Sequence, residues 1–222
     1  MHILFNGVCM ENILQEFKNS VVNHQLTINL DHGLYRDITI KNPESSACAY
    51  HVISRPRYLM ICGDMGTFVF NVRANDAFEY FRNNLDNIRS SQYYRSKLQS
   101  EDISVKSTQF DFEGVLDQLD EYLQNFLDYH LECPENENLD YEMAKAAVER
   151  FRTQTDRNEH SYVEAINNWD EYEAGGMTLD DFWDGNTGLI ATYHYKWCIY
   201  AIVHAVNLYN LSLVDQNEIS HE

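Results

Sequence analysis

Proline and glycine are scarce, with three prolines and nine glycines in 222 residues. No Pro/Gly-rich stretch separates one part of the chain from another, so no flexible linker announces a domain boundary. Cysteine is no more help as a scaffold. Cys9, Cys48, Cys62, Cys133 and Cys198 make an odd number, without Cys-x-x-Cys spacing, and most lie in apolar runs. That pattern argues against a disulfide framework or a zinc site and fits the reduced, buried thiols of a cytoplasmic protein. No Cys/His cluster suggests a metal and no motif suggests a cofactor. The longest apolar run, Leu189 to Leu211, is interrupted by His194, Lys196, His204 and Asn207. Such residues suit a buried core helix better than a membrane span. Its two histidines stand ten residues apart, outside the i, i+4 spacing of a ligand pair, and read as core histidines. The opening Met1-His2-Ile3-Leu4-Phe5 lacks the basic start and long apolar core of a signal peptide.

Positive charge is missing from one half of the sequence. Residues 1–108 hold 11 basic and 11 acidic side chains, whereas residues 109–222 hold 5 basic and 24 acidic ones, which is the whole of the net −19. Two readings stand side by side: an acidic surface that keeps the protein dispersed, and one that meets a basic partner. Hydrophobic residues at 44% and aromatics at 13% are ample for a packed core and too many for a disordered chain.

The pattern along the chain predicts an α+β fold: an N-terminal antiparallel sheet of four to five strands with helices, followed by an acidic α-helical half. Met10 to Asn23 repeats apolar residues at helical spacing. Gln25–Leu30, Leu34–Ile40, Ala47–Ile53, Arg57–Cys62 and Thr67–Val72 read as strands, and the Gly63-Asp64-Met65-Gly66 connection reads as a hairpin. Asn75-Asp76 can cap a short helix, and a further helix is expected over Ser91–Leu98. Beyond Thr108, Phe112, Val115, Leu116, Leu119, Leu123, Phe126 and Leu127 form a helical stripe. Helices over Asp140–Arg152 and within Tyr162–Glu173 follow. Thr178–Asp181 looks like a capping segment, and a last helix spans Ile190–Asn210. The division expected is 1–108, neutral and β-rich, and 109–222, acidic and helical, packed together as one compact unit.

Three constellations carry candidate chemistry. The first is the acidic surface itself: Asp117, Asp120, Glu121 and Asp128 on the first long helix, then Trp169, Asp170, Glu171 and Glu173, and Asp180, Asp181, Trp183 and Asp184. Rings interleaved with carboxylates suit an interface with a basic partner, and they equally suit helices docked on a core by their aromatics. The three aspartates of 180–184 do not follow a calcium-loop pattern. The second is an alternative ligand site for an enzyme or nucleotide-signal binder, Asp31, His32, Tyr35 and Arg36 with Asp64 of the hairpin. It places an acid, an imidazole, a phenol and a guanidinium together, although a turn explains the same residues and no nucleophile elbow or phosphate loop accompanies them. The third is a sheet bearing Arg and Tyr, among them Arg55, Tyr58, Arg89 and Tyr93, as a platform for single-stranded nucleic acid. The acidic half would repel a phosphate backbone, so direct nucleic-acid binding is not expected.

Three segments taken in order, Asp31-His32-Gly33-Leu34-Tyr35-Arg36, Cys62 to Phe70, and Tyr195-Lys196-Trp197-Cys198-Ile199-Tyr200-Ala201-Ile202-Val203, resemble a group of uncharacterised proteins of tailed phages and prophages. The resemblance spans most of the chain and implies a genomic setting, with no catalytic role attached. By analogy with small acidic phage proteins, it implies a non-enzymatic accessory protein in the host cytoplasm. Such a protein would bind a basic host protein or nucleoprotein complex and inhibit it, in some cases by imitating the charge of DNA.

Overall fold

From Gln25 to Asn71 every second residue is apolar over most of each strand, and each strand is followed by a tight turn. Neighbouring strands of that kind pair antiparallel. The computed structural model describes residues 5–82, 85, 88–132, 139–184 and 188–219, with the side chains of 5–12 and 215–219 outside the description. It shows a meander of β1 (Gln25–His32), β2 (Tyr35–Asn42), β3 (Ser45–Arg55), β4 (Tyr58–Gly63), β5 (Gly66–Asn71) and β6 (Leu98–Glu101), adjacent in that order. The sheet therefore has six strands where the sequence predicts four to five. The extra one is β6, whose Ser100 and Glu101 pair with Val69 and Phe68. The helix expected over Ser91–Leu98 correspondingly stops early, as α3 (Ser91–Arg95).

The chain divides into two compact units, residues 1–108 with 191–222, and residues 109–190. A cut at 108 alone leaves the C-terminal segment with the acidic helices; its contacts put it with the sheet. In the first unit Ile38, Ile40, Tyr50, Val52, Leu59, Ile61, Phe68 and Phe70 are buried on the inner face of the sheet. They share one core with Ile13, Phe17 and Val21 of α1 (Phe5–Val21) and with Phe78 and Phe81 of α2 (Ala77–Phe81). The same core takes in most of α7 (Tyr193–Ile219). By length and composition α7 could cross a membrane, but Tyr195, Trp197, Cys198, Ile202, Ala205 and Val206 are buried within the unit. A helix apolar on nearly all sides is the expected filling of such a core. Gly63 marks a close approach: a Cβ there would lie 2.3 Å from the Ala49 carbonyl oxygen, so the hairpin seats tightly on β3 only with glycine.

The second unit contains α4 (Phe112–Glu132), α5 (Tyr141–Gln154) and α6 (Glu159–Asn167). Side-chain caps fix where the last two begin. Asp140 accepts from the Met143 N–H at 3.1 Å, and Asn158 from the Ser161 N–H at 2.9 Å. The α4 stripe buries Val115 and Leu119 against Phe151, Tyr162, Ile166 and Phe182. Removing each of those two side chains from water stabilises the unit by roughly 1.5–3 kcal/mol. A smaller cluster of Ala144, Ala147, Val148, Ala174 and Met177 lies beside Leu123 and Phe126. The Thr178–Asp181 segment starts no helix; Asp180–Trp183 is a turn in which Asp181 takes a left-handed φ of 59°. A separate two-stranded sheet pairs β7 (Thr108–Phe110) with β8 (Leu189–Ala191), so the last helix begins three residues later than the sequence suggests.

Candidate partner-binding face

Residues 109–190 hold 21 acidic and four basic side chains, and the packing distributes them unevenly. Arg150 pairs with Glu173 at 3.0 Å, Arg152 with Asp120, and Arg157 with Glu113. All three arginines of the unit are thus spent on carboxylates of α4 and of the turn after α6. Of the α4 candidates, Asp120 is neutralised in this way. Asp117, Glu121 and Asp128 are exposed without an ion pair among the described residues, and Asp128 accepts from the Gln124 side chain at 2.8 Å. Spaced four and seven residues apart, these three form one outward ridge of α4.

Beyond α6 the chain coils back on itself. The Asp170 carboxylate accepts from the Glu173 N–H, the Ala174 N–H donates to the Asp170 carbonyl, and Gly175 and Gly176 have φ of 60° and 88°. The coil seats Trp169, whose indole N–H donates to the Met177 carbonyl at 2.9 Å. Trp183 is held by its N–H on the Asn167 side chain at 3.0 Å, and its ring meets Phe182 edge-on. Both tryptophans are half-buried, so each docks its own segment and still offers part of a ring to solvent.

These contacts bring the two predicted tryptophan segments onto one groove of about 390 Å³. Trp169, Leu179, Phe182 and Trp183 supply apolar wall, with Ile166, Asn167 and Thr178; Glu171, Asp180, Asp181 and Asp184 supply carboxylates. Asp170 and Glu173 line a different cleft together with Arg150 and Phe151. Asp180, Asp181 and Asp184 lie near Tyr122, whose hydroxyl donates to the Asp180 carbonyl at 3.0 Å. Burial, then Asp181, Asp180, Asp184 and Glu121 in turn, raise the Tyr122 phenol above its ordinary value. Ile166 and Asn167 line the groove without a signal in the sequence, and Thr178 and Leu179, expected as a helix cap, line it as well. Phe182 lines it beside Trp183, within the aromatic and acidic stretch 180–184. Among the described residues no three His, Cys, Asp or Glu side chains are grouped so as to hold a metal ion.

The alternative ligand residues take a different course. Register puts the two turns at opposite ends of the sheet: Arg36 pairs with Ser54 and Ser54 with Leu59, whereas Gly63 pairs with Tyr50 and Tyr50 with Ile40. The four-residue offset is about 13 Å of strand, and Asp64 does not join Asp31–Arg36. Arg36 is clamped. Its guanidinium donates twice to Asp76, at 2.7 and 3.0 Å, and once to the Tyr209 hydroxyl at 3.2 Å, while lying against the rings of Phe78 and Tyr209. The Tyr209 hydroxyl donates to Asp31 at 2.8 Å. Burial would raise the Asp76 carboxyl, but Arg36 and the N–H groups of Phe78 and Glu79 outweigh it and hold the group below its ordinary value. The cluster therefore ties β1 and β2 to α2 and α7. His32 and Tyr35 pair with each other at the exposed end of that hairpin. Of the Arg/Tyr set, Arg89 lies over the ring of Tyr93 at 4.6 Å. Arg55 over Tyr58, at 4.4 Å, remains on the outer side of the sheet.

The class these features define is a mixed α+β chain with a six-stranded antiparallel meander and a separate helical unit rich in carboxylates. No protein-family model matches the sequence, and no curated protein or solved structure matches it either.

Proposed function

We propose that this chain is a non-enzymatic accessory protein of tailed phages that binds a nucleic-acid-handling or defence complex of the host and inhibits it through its acidic helical unit. The observation that carries the reading is the surplus of 21 acidic over four basic side chains in residues 109–190, with Asp117, Glu121 and Asp128 exposed along α4. A host protein that handles nucleic acid presents a basic groove, and a carboxylate-lined helix meets it with fast, electrostatically steered association. The partner is a protein or nucleoprotein complex with a basic surface, and the setting is the host cytoplasm. Phosphate backbones are repelled by the same field, so direct binding to nucleic acid is not part of the reading.

The test is capture from bacterial lysate on the immobilised protein at about 50 mM and about 500 mM salt, since screening shortens from roughly 14 to 4 Å over that range. The captured complex is then assayed for nuclease activity with and without added protein. Retention at low salt, steep loss at high salt and suppressed activity are expected. Retention unchanged at high salt, or by charge-reversed Asp117, Asp120 and Glu121, would overturn the reading. Reversal at Asp120 also breaks its pair with Arg152, so the Asp117/Glu121 double variant is the cleaner probe.

A further inference from the structure

The carboxylates of the second unit differ in whether an arginine stands beside them. Glu113, Asp120 and Glu173 are each matched by an arginine of the same unit. Glu171, Asp180, Asp181 and Asp184 have no ion-pair partner among the described residues, and they stand around a groove that both Trp169 and Trp183 line. An unmatched group of carboxylates beside partly exposed tryptophans has a specific chemical complement, a cation with a flat, weakly hydrated face. Guanidinium meets both demands. It stacks on aromatic rings and donates to several carboxylates at once, whereas ammonium is a compact and strongly hydrated charge. A volume of about 390 Å³ is ample for one long side chain.

We propose that the Trp169–Trp183 groove is the seat of an arginine-bearing extended segment of a partner protein, its guanidinium stacked on the exposed indole surface and bonded to the rim carboxylates. This rests on the reading of the acidic unit as a partner-binding surface and narrows it: the groove fixes which segment is held, while the α4 ridge contributes long-range attraction.

The test uses the whole chain and three probes: acetylated hexa-arginine, hexa-lysine and hexa-citrulline peptides. Binding is read by tryptophan fluorescence and by titration calorimetry at about 50 mM salt, where the Debye length is roughly 14 Å. Trp197 is buried in the other unit and stays silent. Hexa-arginine is expected to bind and perturb Trp169 and Trp183, hexa-lysine to bind several-fold more weakly, and hexa-citrulline not at all. Asp180→Asn/Asp181→Asn/Asp184→Asn should weaken hexa-arginine binding at least tenfold. Asp117→Asn/Asp128→Asn/Glu132→Gln, which removes equal charge from α4, should weaken it less than threefold. Asparagine tolerates the left-handed backbone at position 181, so the first variant keeps its fold, which circular dichroism checks. If both variants lose affinity equally, the groove proposal falls and the diffuse acidic surface survives. If hexa-arginine does not bind the wild-type chain, the proposal falls whatever the lysate capture gives. If binding leaves indole emission unchanged, the seat is elsewhere and the proposal also falls.

Discussion

Replacing Asp76 by alanine removes two contributions at once, and their sizes follow from the geometry. One is the helix cap, in which an Asp76 oxygen accepts from the Phe78 N–H at 2.9 Å; losing such a cap costs about 1 kcal/mol. The other is the bidentate pair with Arg36, whose side chain is 12% exposed against 31% for Asp76. Breaking a fully buried pair costs roughly 3–5 kcal/mol and a surface pair less than about 1, so this half-buried one is worth about 2 kcal/mol. Asp76→Ala should therefore cost about 3 kcal/mol. Arg36→Met leaves the cap intact and the carboxylate partly solvated, and should cost about 1.5 kcal/mol. The double variant should cost about 3 kcal/mol rather than the sum, because the second change removes a partner already lost. Urea unfolding followed through Trp197, with Trp169 and Trp183 replaced by Phe, reads the first unit alone, since Trp197 is the tryptophan of its core. If the effects add to within about 0.5 kcal/mol, the clamp reading is refuted. The Asp31–Arg36 turn would then regain its standing as a ligand site.

Two further outcomes follow from buried or constrained groups. His204, bonded through Nδ1 to the Tyr50 hydroxyl at 2.8 Å, is lowered from 6.5 to about 4 by burial and secondarily by His24. The unfolded chain takes up this proton near pH 6.5 and the folded chain only near pH 4. Its contribution is therefore complete above about pH 6.5 and is lost, by about 2–3 kcal/mol, as the pH falls to about 4. His204→Gln, which keeps an acceptor for Tyr50, should flatten the urea midpoint across that window; an unchanged slope assigns the acid sensitivity elsewhere. Gly175, at φ 60°, would place a Cβ 2.3 Å from the Asp140 carbonyl oxygen, while its own carbonyl accepts from the Asp140 N–H at 2.8 Å. Gly175→Ala should cost more than about 1 kcal/mol and raise hydrogen exchange in the first turn of α5, whereas a neutral result would mean that the turn relaxes freely.

The elements legible in the sequence were those whose residues carry their own signal. Ile38 and Ile40, or Phe68 and Phe70, alternate because one face of the sheet is buried, and the α4 stripe repeats because one side of a helix is. What escaped were elements made by their partners. In β6 only Leu98 is apolar, and the strand exists because β5 offers an open edge to Ser100 and Glu101. Thr178–Asp181 has the composition of a helix cap, yet Leu179 and Phe182 are drawn into the core beside α4 and α6, and the chain turns instead.

The same distinction governs the sites. Asp31 and Arg36 are neighbours in sequence, but what makes them a clamp is Asp76, 40 residues from Arg36, and Tyr209, 173 residues away. A cluster of reactive side chains within one turn says nothing of the distant groups that occupy them, and here those groups take up all three nitrogens of Arg36 and one oxygen of Asp31. The acidic excess is legible by counting; its chemistry is not, because Arg152 reaches Asp120 across 32 residues and Arg157 reaches Glu113 across 44. With those pairs set aside, the α4 ridge and the carboxylate rim around two tryptophans stand out as two exposed groups among the remaining carboxylates. Glu171, Asp180, Asp181 and Asp184 are exposed beside two half-buried tryptophans, so their charge stays available to a cation that can also lie on a ring. Guanidinium joins positive charge to a flat, weakly hydrated face, which is the reason to look for arginine there first.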